Sequence, residues 1–163
     1  MDLKRALSGQ YRAGLTMLRQ CIERCPEDVW ESGVHPRTFW RIAYHALFYT
    51  HFYLQVSEET FQPWEKHRQF VPSLWGEGES LPPVVPPYSR AELLDYLGYV
   101  YDGVDEWLER MDLDSPESGF HWYRLPKLDH QILNVRHLQG HVGQLQEILY
   151  AHGVDLDWVA LGK

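Results

Sequence analysis

Apolar residues along the chain recur at steps of three and four in four separate stretches, which is the spacing of one buried helical face. The first stretch runs from Asp2 to Cys25, with Leu3, Leu7, Tyr11, Leu15, Leu18, Ile22 and Cys25 on its stripe. Pro26 ends it, because the ring disfavours helix at the residue before it. The second is expected from Pro36, a residue suited to a first turn, to Ser57. It is strongly aromatic, with Phe39, Trp40, Tyr44, Phe48, Tyr49, Phe52 and Tyr53. The third runs from Ser89 to Met111 and opens on a capping box, Ser89 and Glu92. Leu93, Leu97, Val100, Val104, Trp107 and Met111 form its stripe. The fourth runs from Leu128 to His152 and stops at Gly153, a natural helix terminator.

No strand pattern, internal repeat or low-complexity tract interrupts this order. The expected fold is therefore all-α, a four-helix bundle formed by residues 1–163 as one domain. The link between the second and third helices holds Pro63, Pro72, Pro82, Pro83, Pro86 and Pro87. It is long enough to cross the bundle, which would let those two helices run parallel. Structureless links of that length are uncommon. With Phe61, Trp64, Phe70 and Trp75 in it, part of this one is expected to pack down or form a short helix.

Composition narrows the function. The chain has 163 residues, 44% of them hydrophobic and 14% aromatic, ample for one core. Its formal charge is −8 and its 15 basic residues are scattered. Nucleic-acid binding needs concentrated positive charge and is not expected, nor is docking on an anionic membrane. No apolar run reaches the length of a membrane span, and no apolar signal core follows the first residues, so a cytoplasmic protein is expected. Cys21 and Cys25 lie four apart on one helix, awkward for a mutual disulfide, and read as two small buried residues.

Chemistry concentrates in the histidines, nine in all. His137 and His141 differ by four positions, hence by about 40° around a helix, so both imidazoles leave the same face one turn apart. That face also carries His130, Asn134, Leu145 and Ile148. His45 lies between Ile42 and Tyr49 on the inward face of the second helix. Three imidazoles converging from two helices would make a facial metal site with open positions, unlike a structural site closed by four protein ligands; a hydrogen-bonded core histidine at His45 and a chance pair on a solvated face at His137 and His141 are the plainer roles. Zinc, nickel, iron and copper all accept such ligands. Tyr49, Phe52 and Tyr101 are candidates for an apolar pocket wall. Asn134 and Gln144 are candidates to orient ligands or substrate, with core packing or a helix–helix hydrogen bond as the plainer roles. His51 is expected on another surface. His35, His67, His121 and His152 are expected as surface residues, with His67 or His121 able to close over the site. Arg41 and Arg136 are the nearest candidate anion binders by helical position, though both are expected at the surface.

The segment His137-Leu-Gln-Gly-His141-Val-Gly-Gln-Leu145 resembles the H-x-x-x-H-x-G-Q-L signature of the DinB/YfiT-like superfamily. Thr38-Phe-Trp-Arg-Ile-Ala-Tyr-His45 resembles the motif that ends in that family's first metal-binding histidine. Helix order, the long second connection and length extend the resemblance over nearly the whole chain. It implies a bundle in up-down-down-up order, with zinc or nickel on His45, His137 and His141. It also implies kinship with enzymes that use low-molecular-weight thiols such as bacillithiol, mycothiol or glutathione. The resemblance carries no substrate. Two functions follow: a metal-dependent hydrolase or thiol S-transferase working with an activated water or thiol, or a non-catalytic metal-binding stress-response protein acting as a homodimer.

Overall fold

In the computed structural model, residues 2–75 and 80–162 are described. Four long helices dominate: α1 (Leu3–Arg24), α3 (Phe39–Tyr53), α4 (Arg90–Arg110) and α5 (Lys127–Tyr150). A one-turn helix α2 (Glu27–Trp30) and a hairpin of β1 (Gly33–Val34) and β2 (Arg37–Thr38) fill the link between α1 and α3. The described residues are thus mostly helical, as an all-α chain requires, with that small two-stranded hairpin beside the helices. No described helix is long and apolar enough to cross a membrane.

Local chemistry sets the helix ends. Asp2 caps α1 by accepting from the Arg5 backbone N–H at 2.9 Å. Ser89 and Glu92 form the expected capping box on α4. Gly153 adopts a positive φ of 75° just beyond α5, which an L side chain resists. The helix containing His45 is shorter than expected at both ends. It begins at Phe39 rather than Pro36, because Gly33 to Thr38 turn back as the hairpin; Gly33 has φ 110°, and a Cβ there would meet the Arg37 carbonyl oxygen at 2.5 Å. It ends at Tyr53 rather than Ser57, where Lys127 at the start of α5 donates to the carbonyl oxygens of Val56, at 2.7 Å, and Ser118. That ammonium holds the α3 end, the α4–α5 loop and the α5 start together.

The stripes read from the sequence become the core. Leu15, Leu18 and Ile22 of α1, Ile42 and Leu47 of α3, Leu97, Val100 and Val104 of α4, and Leu138, Val142 and Leu145 of α5 are all buried in one cluster. Contacts follow an ordered ladder. Lys4 and Ser8 of α1 meet Glu109 and Asp105 near the end of α4, while Arg90 at the start of α4 bonds the Cys25 carbonyl. Tyr11 donates to Gln131 of α5 at 2.7 Å, and Arg24 reaches Asp155 beyond it. Tyr53 accepts from Gln131 and Thr50 from Asn134, both across α3 and α5. Cys21 and Cys25 are buried free thiols, and burial pushes Cys21 up to about 12 and Cys25 to about 11, as inert core residues.

The long crossover after α3 packs down as expected. It includes a 3-10 turn at Glu58–Thr60, and Trp64 is buried with its ring stacked on Tyr96 at 4.6 Å. Its 70–73 stretch is strapped to α3 by Arg41. The surface expectation for this residue fails: Arg41 is 1% exposed and donates to the carbonyls of Phe70 (2.8 Å), Val71 (3.0 Å), Ser73 (3.1 Å) and Pro83 (3.2 Å). The helical wheel put it outside the bundle. The crossover covers that outside.

Candidate metal centre

His45 leaves the middle of α3, and His137 and His141 leave successive turns of α5, the helix packed against it. One ligand atom from each of the three lies within 4.8 Å of the others. Their Nε2 atoms converge: His45 to His137 at 3.1 Å and His137 to His141 at 3.2 Å.

Proton placement explains what such a cluster needs. The Nδ1 of His45 sits 2.6 Å from the Pro72 carbonyl, which can only accept, so Nδ1 carries the proton and Nε2 presents a lone pair. The Nδ1 of His141 donates to Gln144 Oε1 at 3.1 Å, leaving its Nε2 in the same state. Between these two acceptors stands His137 Nε2, and His137 Nδ1 is buried with no partner among the described residues. One proton on His137 Nε2 cannot serve two lone pairs well, and without it three lone pairs face each other. A cation shared by all three resolves the conflict. The observed separations suit nitrogens that bind one ion at about 2.0–2.1 Å. The residues present therefore fit a divalent metal, and the three histidines could hold one.

Burial prepares the donors. It lowers His45 to about 3, with its histidine neighbours and Arg37 adding to the effect and the Pro72 bond opposing it. Burial likewise lowers His137 to about 4, helped by His141. His141 is lowered by burial, against the bond to Gln144. All three are neutral at neutral pH, the ligating form.

A cavity of about 510 Å³ opens onto the imidazoles, lined by Tyr49, Phe52, Tyr53, Trp75, Trp122 and Tyr123. Tyr49 packs on His45 at 4.6 Å between ring centres and meets His137 edge-on at 5.7 Å. Tyr49 and Phe52 thus stand where the sequence placed them. Gln144 also reaches the site, as a hydrogen-bond partner of His141. Asn134 does not: it is fully buried and its amide donates to the Thr50 carbonyl at 3.2 Å, a bond between α5 and α3. Tyr101 is displaced too. Its ring lies under the Arg12 guanidinium at 4.6 Å, between α4 and α1.

The other histidines separate from the triad. His51 points away from it, as expected, yet is buried rather than at a surface, with Nδ1 3.0 Å from the Tyr96 hydroxyl. His67 bonds the Tyr44 hydroxyl at 2.8 Å, and His121 pairs with Glu58 at 3.0 Å; neither closes over the site. Trp75, from the crossover, and Trp122 and Tyr123, from the α4–α5 loop, take that position. The sequence reading missed Trp122, Tyr123 and the Pro72 carbonyl. The run Phe120-His121-Trp122-Tyr123, four consecutive rings in the loop before α5, was the available signal. Arg136 is exposed along a groove between α1 and α5, away from the triad. Comparisons with protein-family models, curated proteins and solved structures find no match to this chain.

Proposed function

We propose that the protein binds one divalent ion, zinc or nickel, on His45, His137 and His141, and acts as a metal-dependent hydrolase or thiol S-transferase. The observation that carries this reading is the convergence of three neutral Nε2 atoms beneath an aromatic cavity. A bound divalent ion supplies Lewis acidity, which lowers the pKa of a water or thiol brought to it. The residues supply the rest. Pro72 and Gln144 fix the ring orientation and proton position of two ligands. Tyr49 and Trp75 pack against the His45 ring, at 4.6 and 5.7 Å between ring centres. With three protein ligands rather than four, room remains for a reacting group.

The ladder of contacts supports an up-down-down-up bundle. The start of α1 meets the end of α4, and the end of α3 meets the early turns of α5, with His45 and His137 meeting mid-helix. This order, the length of the crossover and the histidine motifs together support membership of the DinB/YfiT-like superfamily.

Cobalt substitution followed by thiol titration tests the activity. A change in the cobalt spectrum on adding glutathione, bacillithiol or mycothiol, or turnover of an activated ester or amide, is the expected result. A spectrum indifferent to every added thiol and a protein inert to every ester would instead favour a non-catalytic metal-binding dimer.

A further inference from the structure

We propose that the cavity over the three histidines receives a flat, uncharged aromatic group of the substrate, held against Trp75 and Trp122; this rests on the metal-centre reading above. The wall is almost wholly aromatic, and its rings pack on one another at tilted and edge-on angles around the cavity. Phe52 lies 6.0 Å from Trp122, Tyr53 is edge-on to Tyr123 at 5.6 Å, and Trp75 is edge-on to His45 at 5.7 Å. Planar guests pack on such surfaces by offset stacking and edge contacts. The volume, about 510 Å³, is that of a small-molecule site.

Two features sharpen the choice. Trp75 and Trp122 come from different loops, line the same cavity, and are 54% and 45% exposed. Large indoles left half in water at a cavity mouth are surface that a guest would cover. Charge is the second feature. Among the described residues, the lining holds no carboxylate, ammonium or guanidinium. Arg41 is consumed by the crossover carbonyls, and Arg136 lies along the groove between α1 and α5. Arg37 acts on His45 and His141 but is not part of the lining, and donates to the Leu74 carbonyl at 3.4 Å. A carboxylate on the far edge of the group, out of reach of the metal, would lose water without gaining a counter-ion from the lining, which is costly.

The test uses the cobalt-loaded full chain and three hydroxamates that share one chelating head: acetohydroxamate, benzohydroxamate and 4-carboxybenzohydroxamate. The cobalt spectrum reports binding. Benzohydroxamate is expected to bind about tenfold or more tighter than acetohydroxamate, from the apolar area its ring buries, and the carboxylated ring more weakly than the plain one. Trp122→Ala, at an exposed position, should shrink the ring's advantage while leaving acetohydroxamate affinity and the circular dichroism spectrum unchanged. Equal affinity of acetohydroxamate and benzohydroxamate, or tighter binding of the carboxylated ring, overturns the inference while leaving the metal centre standing. A metal-free arm separates the two claims: quenching of tryptophan fluorescence by 1-naphthol, but not by 1-naphthoate, is expected without any ion. Failure of both 1-naphthol and benzohydroxamate to bind overturns the inference as well.

Discussion

Arg41→Met should weaken metal binding although Arg41 touches no ligand ring. Arg41 precedes His45 by one turn of α3. Its guanidinium takes the carbonyls of residues 70, 71, 73 and 83, and His45 Nδ1 takes the carbonyl of residue 72 between them. The bond from His45 to the strap is thus flanked on both sides by bonds from Arg41, while Val71 and Leu74 anchor the same stretch in the core. Methionine fills much of the same space and offers no donor. Stranding a buried carbonyl costs about 1–3 kcal/mol. Stranding four at once exceeds the cost of lifting the strap into water, so the measured destabilisation should settle at about 2–4 kcal/mol. With the Pro72 carbonyl gone, His45 loses the bond that fixes its proton on Nδ1, and metal affinity should fall about 10–100-fold. Urea unfolding of the metal-free protein gives the first quantity, and zinc titration against a competing chelator gives the second. Arg41→Lys, which keeps the charge but not the fork of donors, should fall between. An Arg41→Met protein that is folded and binds zinc within about twofold of the parent refutes the reasoning.

Other outcomes follow from single residues. Gln144→Leu removes the acceptor of His141 Nδ1 and should cost about tenfold or more in metal affinity while changing unfolding stability by less than about 1 kcal/mol; equal affinity would show that Gln144 does not orient the ring. His130→Phe should stabilise the protein by about 1 kcal/mol in urea melts, because both ring nitrogens are buried against Tyr53, Phe120 and Tyr123 with no hydrogen-bond partner among the described residues, and a loss of stability would show that the imidazole has a needed partner. Stability of the metal-free protein should decline as pH drops below 6.5. Burial lowers His51 to about 3 and His130 to about 4, so below 6.5 the unfolded chain takes up protons that the folded chain refuses. Each such histidine contributes up to about 1.4 kcal/mol per pH unit, present above 6.5 and lost on acidification; urea midpoints that stay level from pH 7 to pH 5 would contradict this.

The sequence carried the long helices because a buried face imposes a period, and Leu3 to Cys25 or Leu93 to Met111 span enough turns to display it. The same period put His137 and His141 on one face and His45 on an inward one; it was the resemblance of the two histidine motifs that singled these three out as a ligand set. Elements of a few residues, such as Glu27–Trp30 and the Gly33–Thr38 hairpin, are too short to show a period. Arg41 escaped because a helical wheel knows the helix but not the crossover laid over it. His51 escaped for a related reason: its face looked outward from the triad, and α4 covers it with Tyr96 and Trp107. Trp122 and Tyr123 escaped because loop geometry, with no period to follow, decides where those rings go.

Metal content of the purified chain tests the central claim most directly. Elemental analysis of the parent protein should give about one zinc or nickel ion per chain. His45→Ala, His137→Ala and His141→Ala should each lose most of it while remaining helical, and His152→Ala, whose imidazole is exposed and bonds the Ile148 carbonyl, should keep it. Equal metal content in all four variants, or no tightly held divalent ion in the parent, would contradict the account.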